Sequence, residues 1–246
     1  MPNNETQIPA PRVPISEQNN IPTREWFRFF NAIYVFLGLS RGIIPETSGG
    51  TGNITYATGD LLYASAPDTL SRLPVPSQAC YLGTDDTNMP QWIPVAYGAF
   101  ANTTTQTAPA STPVGITFNV TDHSRGVTVN GSQVTVAETG LYTITFSLQL
   151  SNPSTASEDD AIVWLKVNNN DLPNTASHIT IAKSHGGTAG SGIMTVNFFH
   201  DLTAGDYFEI YGMSVAGLLE LKTYAAGTSP AYPAAPAAIL TVSQII

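Results

Sequence analysis

Gly140-Leu141-Tyr142-Thr143-Ile144-Thr145-Phe146-Ser147-Leu148-Gln149-Leu150 decides the fold. Tyr142, Ile144, Phe146, Leu148 and Leu150 fall on one side of an extended chain, and Thr143, Thr145, Ser147 and Gln149 on the other. Alternation with a period of two means a β-strand with one face in a core. Its β-branched and aromatic content agrees. The spacing predicts that this strand centres a C-terminal β-sandwich. Everything upstream then reads as apparatus that holds and places the sandwich.

Working outward, short strands recur on both sides. Gly115–Thr121, Gly126–Asn130, Ser132–Ala137, Ala161–Val167, Ser177–Lys183, Ile193–His200, Tyr207–Val215, Leu218–Tyr224 and Ala238–Ile245 carry strand-like runs, with turn residues between them. Asn130-Gly131 carries the composition of a type I′ hairpin, and Thr203-Ala204-Gly205-Asp206 that of another turn. Many strands at this spacing with no helical period read as a sandwich or jelly roll over residues 97–246. Two of the strands are apolar on both faces: Tyr207–Met213, and Ile193–Phe199, where Met194, Val196 and Phe198 stand opposite Ile193 and Phe199. A sandwich strand in a monomer buries one face. The surplus predicts contacts with copies of the same chain, with Tyr207, Tyr211, Phe208 and Phe198 as candidate interface residues.

The rest of the chain divides by composition. Residues 1–22 hold Pro2, Pro9, Pro11, Pro14 and Pro22, which favour an extended arm. In residues 23–38, Thr23 stands as a helix cap, Glu25 suits the first turn, and Gly38 closes the segment. Trp26, Phe29, Phe30, Ile33, Phe36 and Leu37 repeat at three- and four-residue steps, too aromatic a stripe to face water. The arm and helix together predict an attachment segment. Residues 39–96 form a Gly-rich linker and a small β unit, in which Leu61-Leu62-Tyr63 and Leu70–Leu73 flank a turn at Ala66-Pro67-Asp68.

Composition narrows the function classes. Only 11% of the 246 residues are charged, so surface polarity comes from Thr, Ser, Asn and Gln. The net charge of -9 distributes as +1 over residues 1–45, -4 over 46–96 and -6 over the remainder. An acidic head argues against binding a phosphate backbone, which needs clustered Lys and Arg. The lone Cys80 cannot form an internal disulfide. The first thirty residues lack the apolar run of a secretory signal, and no stretch reaches the length of a membrane span. Synthesis and assembly in the cytoplasm of a producing cell, without membrane insertion, is the expectation.

Chemistry-bearing patterns are sparse. His123, His178, His185 and His200 show no ligand spacing, and neither a Gly-x-Ser-x-Gly nucleophile elbow nor a phosphate loop occurs. The acidic clusters Asp85-Asp86 and Glu158-Asp159-Asp160 read as solvated loops, with calcium binding or paired-carboxylate cleavage of sugars as the sharper alternatives. Asn-x-Thr/Ser triplets in so Asn- and Thr-rich a chain read as chance. The expectation is a protein without enzymatic activity or cofactor.

Two resemblances add to this reading. Gly49-Gly50-Thr51-Gly52, Thr55-Tyr56-Ala57, Gly59-Asp60-Leu61-Leu62-Tyr63-Ala64-Ser65-Ala66, Thr69-Leu70-Ser71-Arg72-Leu73-Pro74 and Trp92 together resemble a module of tailed-bacteriophage fibre and virion proteins. The stretch Ser77–Leu82 departs from that module, where glycines are usual. Pro11–Ile15 with Arg24–Phe30 is similar to the start of many phage structural proteins, which implies attachment to other virion proteins, in capsid or tail, through residues 1–38. Over residues 113–246 the wording resembles the C1q/tumour-necrosis-factor-like jelly roll: Gly140–Phe146, Trp164–Asn170, Leu202–Ile210 and Ala238–Val242. That family implies a compact homotrimer. Together the resemblances imply a virion structural protein, as capsid decoration or head fibre. The alternative is a tail fibre whose head attaches to host surface glycan through Tyr-, Thr- and Asn-rich loops.

Overall fold

The computed structural model describes residues 9, 13–16, 21–36, 50–78, 80–85 and 87–245. The chain forms two units, Met1–Ile93 and Pro94–Ile246. The first holds helix α1 (Arg24–Phe36) and strands β1 (Leu61–Ala66), β2 (Thr69–Leu73), β3 (Cys80–Thr84) and β4 (Pro90–Pro94). The second holds β5 (Tyr97–Asn102), β6 (Gln106–Thr107), β7 (Val114–Gly115), β8 (Val120–Arg125), β9 (Val127–Asn130), β10 (Gln133–Val136), β11 (Gly140–Asn152) and β12 (Asp159–Val167). It continues with β13 (Asn170–Asp171), β14 (Ser177–Ile181), β15 (Gly190–Leu202), β16 (Tyr207–Ser214), β17 (Glu220–Leu221), β18 (Gly227–Thr228), β19 (Ala231–Tyr232) and β20 (Ala238–Gln244). Among the described residues no helix is long and apolar enough to cross a membrane.

The second unit is a β-sandwich, as the alternation predicts. One sheet runs β6-β17-β11-β20-β5-β8, with β15 on the other side of β11; the other runs β13-β12-β16-β10-β9, with β14 on β12 and β7 on β16. β11 is central to the first sheet. Tyr142, Ile144, Phe146 and Leu148 are buried, while Thr143, Thr145 and Ser147 face out half-exposed. They meet Val163, Leu165, Phe208, Ile210, Val134 and Val136 from the opposite sheet in one continuous core. Burying each large side chain stabilises the fold by roughly 1.5–3 kcal/mol, so β11 is the largest single apolar contribution to this layer.

Connections follow local chemistry. β8 and β9 are one run of chain that changes sheets at Gly126, whose φ of 64° a side chain would resist, and whose missing Cβ leaves room for Ala96 at 3.1 Å. The β9–β10 hairpin places Gly131 and Ser132, not Asn130 and Gly131, at its corners, because Asn130 pairs with Gln133. Positive φ occurs only at Gly131, as in a II′ turn; the I′ pattern belongs to Asn168-Asn169, both at positive φ, between β12 and β13. Thr203–Asp206 turns as expected, with Asp206 N donating to Thr203 O.

Two expected strands differ. Gly115–Thr121 is largely a crossing segment: Ile116 and Phe118 do point into the core, but Ile116 N donates to Ile210 O and Phe118 N to Gly131 O, so no single partner strand forms a ladder. Leu218–Tyr224 shrinks to the two residues of β17. After it the chain leaves the sheet and returns: Lys222 N donates to Gln149 O, and Gln149 N donates to Ala237 O. The excursion 223–236 thus interrupts one line of pairing along β11, and β18–β19 and the Tyr224–Ala235 bridge organise it.

In the first unit the small hairpin forms as read, β1 against β2 with Pro67 and Asp68 at its corner. Gly38 and most of residues 1–22 and 39–49 lie outside the described residues.

Candidate interaction surfaces

The outer face of the first sheet is built by cross-strand register. Phe199 of β15 lies opposite Thr143, which lies opposite Ser243, which lies opposite Tyr97. The next row is Asn197, Thr145, Thr241 and Ala99, and the next Thr195, Ser147 and Ile239. Ile193 stands opposite Gln149. None of these residues is charged; charge borders the patch at Asp201, opposite Leu141, and at Arg125, opposite Tyr97. Asn197 Nδ2 donates to Thr143 Oγ1 at 2.8 Å and to Thr145 Oγ1 at 2.6 Å, and Thr195 Oγ1 donates to Ser147 Oγ at 3.1 Å. Much of the face's polarity is therefore already satisfied within the sheet, which lowers the cost of taking it out of water. Phe199 is 64% exposed, Ile193 61%, Ile239 45% and Tyr97 41%. An uncharged carpet with large apolar side chains standing out of it has the composition of an interface centre.

The two-faced strands therefore resolve differently from expectation. Phe208 is fully buried in the subunit's own core and cannot reach another subunit. Phe198 packs half-buried against that core, its ring 6.2 Å from Phe146. Tyr207 and Tyr211 lie half-buried on the outer face of the second sheet. The Tyr211 ring lies 5.9 Å from that of Trp164, tilted by 42°, with Lys166 Nζ 4.5 Å from its centroid. Asp171 accepts from Trp164 Nε1 at 2.6 Å and sits 3.6 Å from Lys166 Nζ. The large apolar side chains left facing solvent on β15 are Ile193 and Phe199, on the face opposite to Phe198.

On α1, Trp26, Phe29 and Phe30 form one cluster, with ring centroids 5.5–5.7 Å apart. Trp26, Phe29 and Ile33 are half-buried, and Phe30 is 48% exposed. Phe27, Tyr34 and Val35 stand out as well, so apolar side chains leave the helix on more than one face. Leu37 and the side chain of Phe36 lie outside what is described. Thr23 holds the cap position, its carbonyl accepting from Phe27 N, but its hydroxyl donates to Pro14 O at 2.9 Å. Trp26 Nε1 donates to Val13 O. The cap hydroxyl and the indole thus tie the helix start to the preceding chain.

The acidic clusters have structural work. Asp159 is 4% exposed rather than solvated. Its carboxylate accepts from Ser214 Oγ and from the backbone N–H groups of Ala216, Leu218 and Asp160. Burial alone would raise its pKa, but the hydrogen bonds from Ser214, Ala216 and Leu218 outweigh it and hold the carboxyl below its usual range. Asp85 Oδ1 accepts from Thr87 Oγ1, Thr87 N and Met89 N, which lowers its pKa and pins the turn to β4. Among the described residues no three His, Cys, Asp or Glu side chains gather as metal ligands.

The Gly59-Asp60 motif also has a local cause. Gly59 sits at φ 91°, with Val75 Cγ2 3.2 Å from where a Cβ would stand. Asp60 accepts from Ala57 N at 2.7 Å and Val75 N at 3.1 Å, with Arg72 3.4 Å away. Trp92 Nε1 donates to Pro74 O. One carboxylate joins the segment before β1 to the segment after β2, so the module's wording carries fold requirements of its own.

No protein-family model matches the chain, and no curated protein is similar to it. Among solved structures, murine APRIL at pH 8.5 is similar over 62% of this chain and all of its own, at 10% identity and a TM-score of 0.38. The globular domain of zebrafish complement 1qA is similar over 61% of this chain and 98% of its own, at 12% identity and a TM-score of 0.37. Both are jelly-roll domains of the C1q/tumour-necrosis-factor-like class. The sandwich itself stands on the strand pairing: this chain is a mainly β protein whose C-terminal unit is a two-sheet sandwich.

Proposed function

We propose that this chain is a non-enzymatic structural protein of a tailed-phage particle. It works as a homotrimer that attaches to other virion proteins through residues 1–38 and displays the sandwich as a head, as capsid decoration or head fibre. The observation that carries the self-assembly is the uncharged patch on the outer face of β15, β11, β20 and β5, bordered by Asp201, from which Phe199 and Ile193 project. The exposed aromatic side chains of α1 support attachment, and the resemblance of residues 49–92 to phage modules supports the particle. Sedimentation equilibrium at micromolar concentration is expected to give three times the 26.1 kDa chain mass; a stable monomer contradicts the assembly. A chain lacking residues 1–38 is expected to remain trimeric and to be missing from purified particles. Normal incorporation of the truncated chain contradicts the attachment.

A second reading, host attachment through glycan at the tail, is favoured by the paired Trp164 and Tyr211 rings on the outer face of the second sheet, flanked by Lys166 and Asp171. Aromatic faces stack on sugar rings while charged neighbours bond hydroxyls. Glycan-array binding that Trp164→Ala abolishes would support it over the first reading.

A further inference from the structure

The sandwich holds a half-open cavity of about 260 Å³ at one end of its core. Its cause is a change of side-chain size along two paired strands. Leu165 of β12 and Phe208 and Ile210 of β16 are large and fully buried between the sheets. Further along the same pair, Val163 lies opposite Gly212 and Ala161 opposite Ser214, and Gly115 of β7 pairs beside them. Small residues there leave room that Leu148, Leu150 and Ile116 line but do not occupy.

The walls are held apart. Two of the four connections that cross between the sheets at this end run from β6 to β7 and from β16 to β17. Asp159 fixes the second crossing through Ser214, Ala216 and Leu218. The crossings are also tied to each other, with Ser111 N donating to Ser214 O at 2.9 Å and Ser111 Oγ to Val215 O at 3.0 Å. A void with pinned walls cannot close by relaxation, so it keeps its shape for an occupant.

The lining sets the occupant's chemistry. The lining is largely aliphatic; its polar side chains are Gln106, Thr107 and Glu220, and the buried Ser214, whose hydroxyl donates to Asp159. Gln106 is committed to Thr117, and Glu220 is paired with Lys222 Nζ at 2.8 Å. No unpaired charge at the rim is left to hold an ion. A cavity of about 150 Å³ with similar lining holds one benzene, so this one has room for two fused rings or a short alkyl chain. We propose that the cavity binds a small, neutral, mostly apolar molecule of that size, one per subunit.

The test is isothermal titration of the full chain with indole, with hexanoate as the charged control. Saturable one-to-one binding of indole, weakened at least about tenfold in Gly212→Ala and in Ala161→Leu, is the expected result. The Cβ added at Gly212 lies 3.6 Å from Ile116 Cδ1 and 3.9 Å from Val163 Cγ2, ordinary contacts, so that variant folds even where the larger Ala161→Leu does not. Absence of saturable binding up to about 1 mM overturns the proposal. So does binding undiminished in Gly212→Ala, and so does hexanoate binding as tightly as indole.

Discussion

At the scale of single residues, Asp159 is the side chain on which most local structure depends. Its two oxygens serve four donors in three segments of chain, with almost no water to replace them. Asp159→Ala leaves buried N–H groups unpaired and is expected to cost about 3 kcal/mol in urea unfolding of the full chain. Because its folded-state pKa lies below the usual 3.8, its contribution is fully present above about pH 4 and is lost as pH falls through the lowered value. Tyr142 gives the opposite limb. Burial, then the nearby Glu138 charge, pushes its phenol up to about 12, although its hydroxyl donates to Glu138 O. The folded state therefore keeps a proton that the unfolded chain releases near pH 10, and stability is expected to decline from about pH 10 towards about pH 12. Ultraviolet titration of the folded chain checks it; a Tyr142→Phe variant should lose the late phenol transition.

At the scale of elements, β15 is where fold and association separate. Its inward residues, Met194, Val196 and Phe198, belong to the core, and of its outward ones Ile193, Thr195, Asn197 and Phe199 form the uncharged patch, with Asp201 at its border. Phe199→Asp is expected to leave the far-ultraviolet spectrum unchanged and to weaken self-association at least about a hundredfold, because a carboxylate would be desolvated without a partner. Analytical ultracentrifugation reads it; a trimer of unchanged affinity would remove this face from the interface. How much of this was legible varied by element. β11 was, since strict alternation survives whatever surrounds it. The doubled apolarity of β15 and β16 was legible too, but not which face was surplus: Phe208 and Phe198 look like Phe199 until strand pairing decides which way each points. β5 escaped notice because Gly98, Ala99 and Ala101 carry almost no strand signal; its backbone is a strand because β20 and β8 pair with it on both sides. Ile116 and Phe118 suggested a strand because a crossing segment that drops alternate side chains into a core has the same spacing. The cavity was out of reach, since Ala161, Gly212 and Ser214 are far apart in sequence and ordinary one by one.

At the scale of the whole molecule, low charge and two-sheet architecture fit together. A chain with so few charges draws its surface polarity from Thr, Ser and Asn, and those same side chains bond to one another across the outer sheet face. In the N-terminal unit the buried Asp60 carboxylate and the exposed Arg72 pair across the small hairpin. Under the proposed function the first unit would attach and the second would be displayed.

The excursion at residues 223–236 bears on how such a head can change over generations. Both of its ends are fastened to the same residue, Gln149, through that residue's carbonyl and its amide. The ladder along β11 resumes in register on the far side, with Ala238 opposite Leu148. Whatever lies between Lys222 and Ala237 is therefore free to lengthen, shorten or be rewritten without shifting the register of a buried strand, and closing a longer loop adds little entropy cost. It is a natural site for lineages to diversify, and for a foreign peptide to be grafted and shown to the outside.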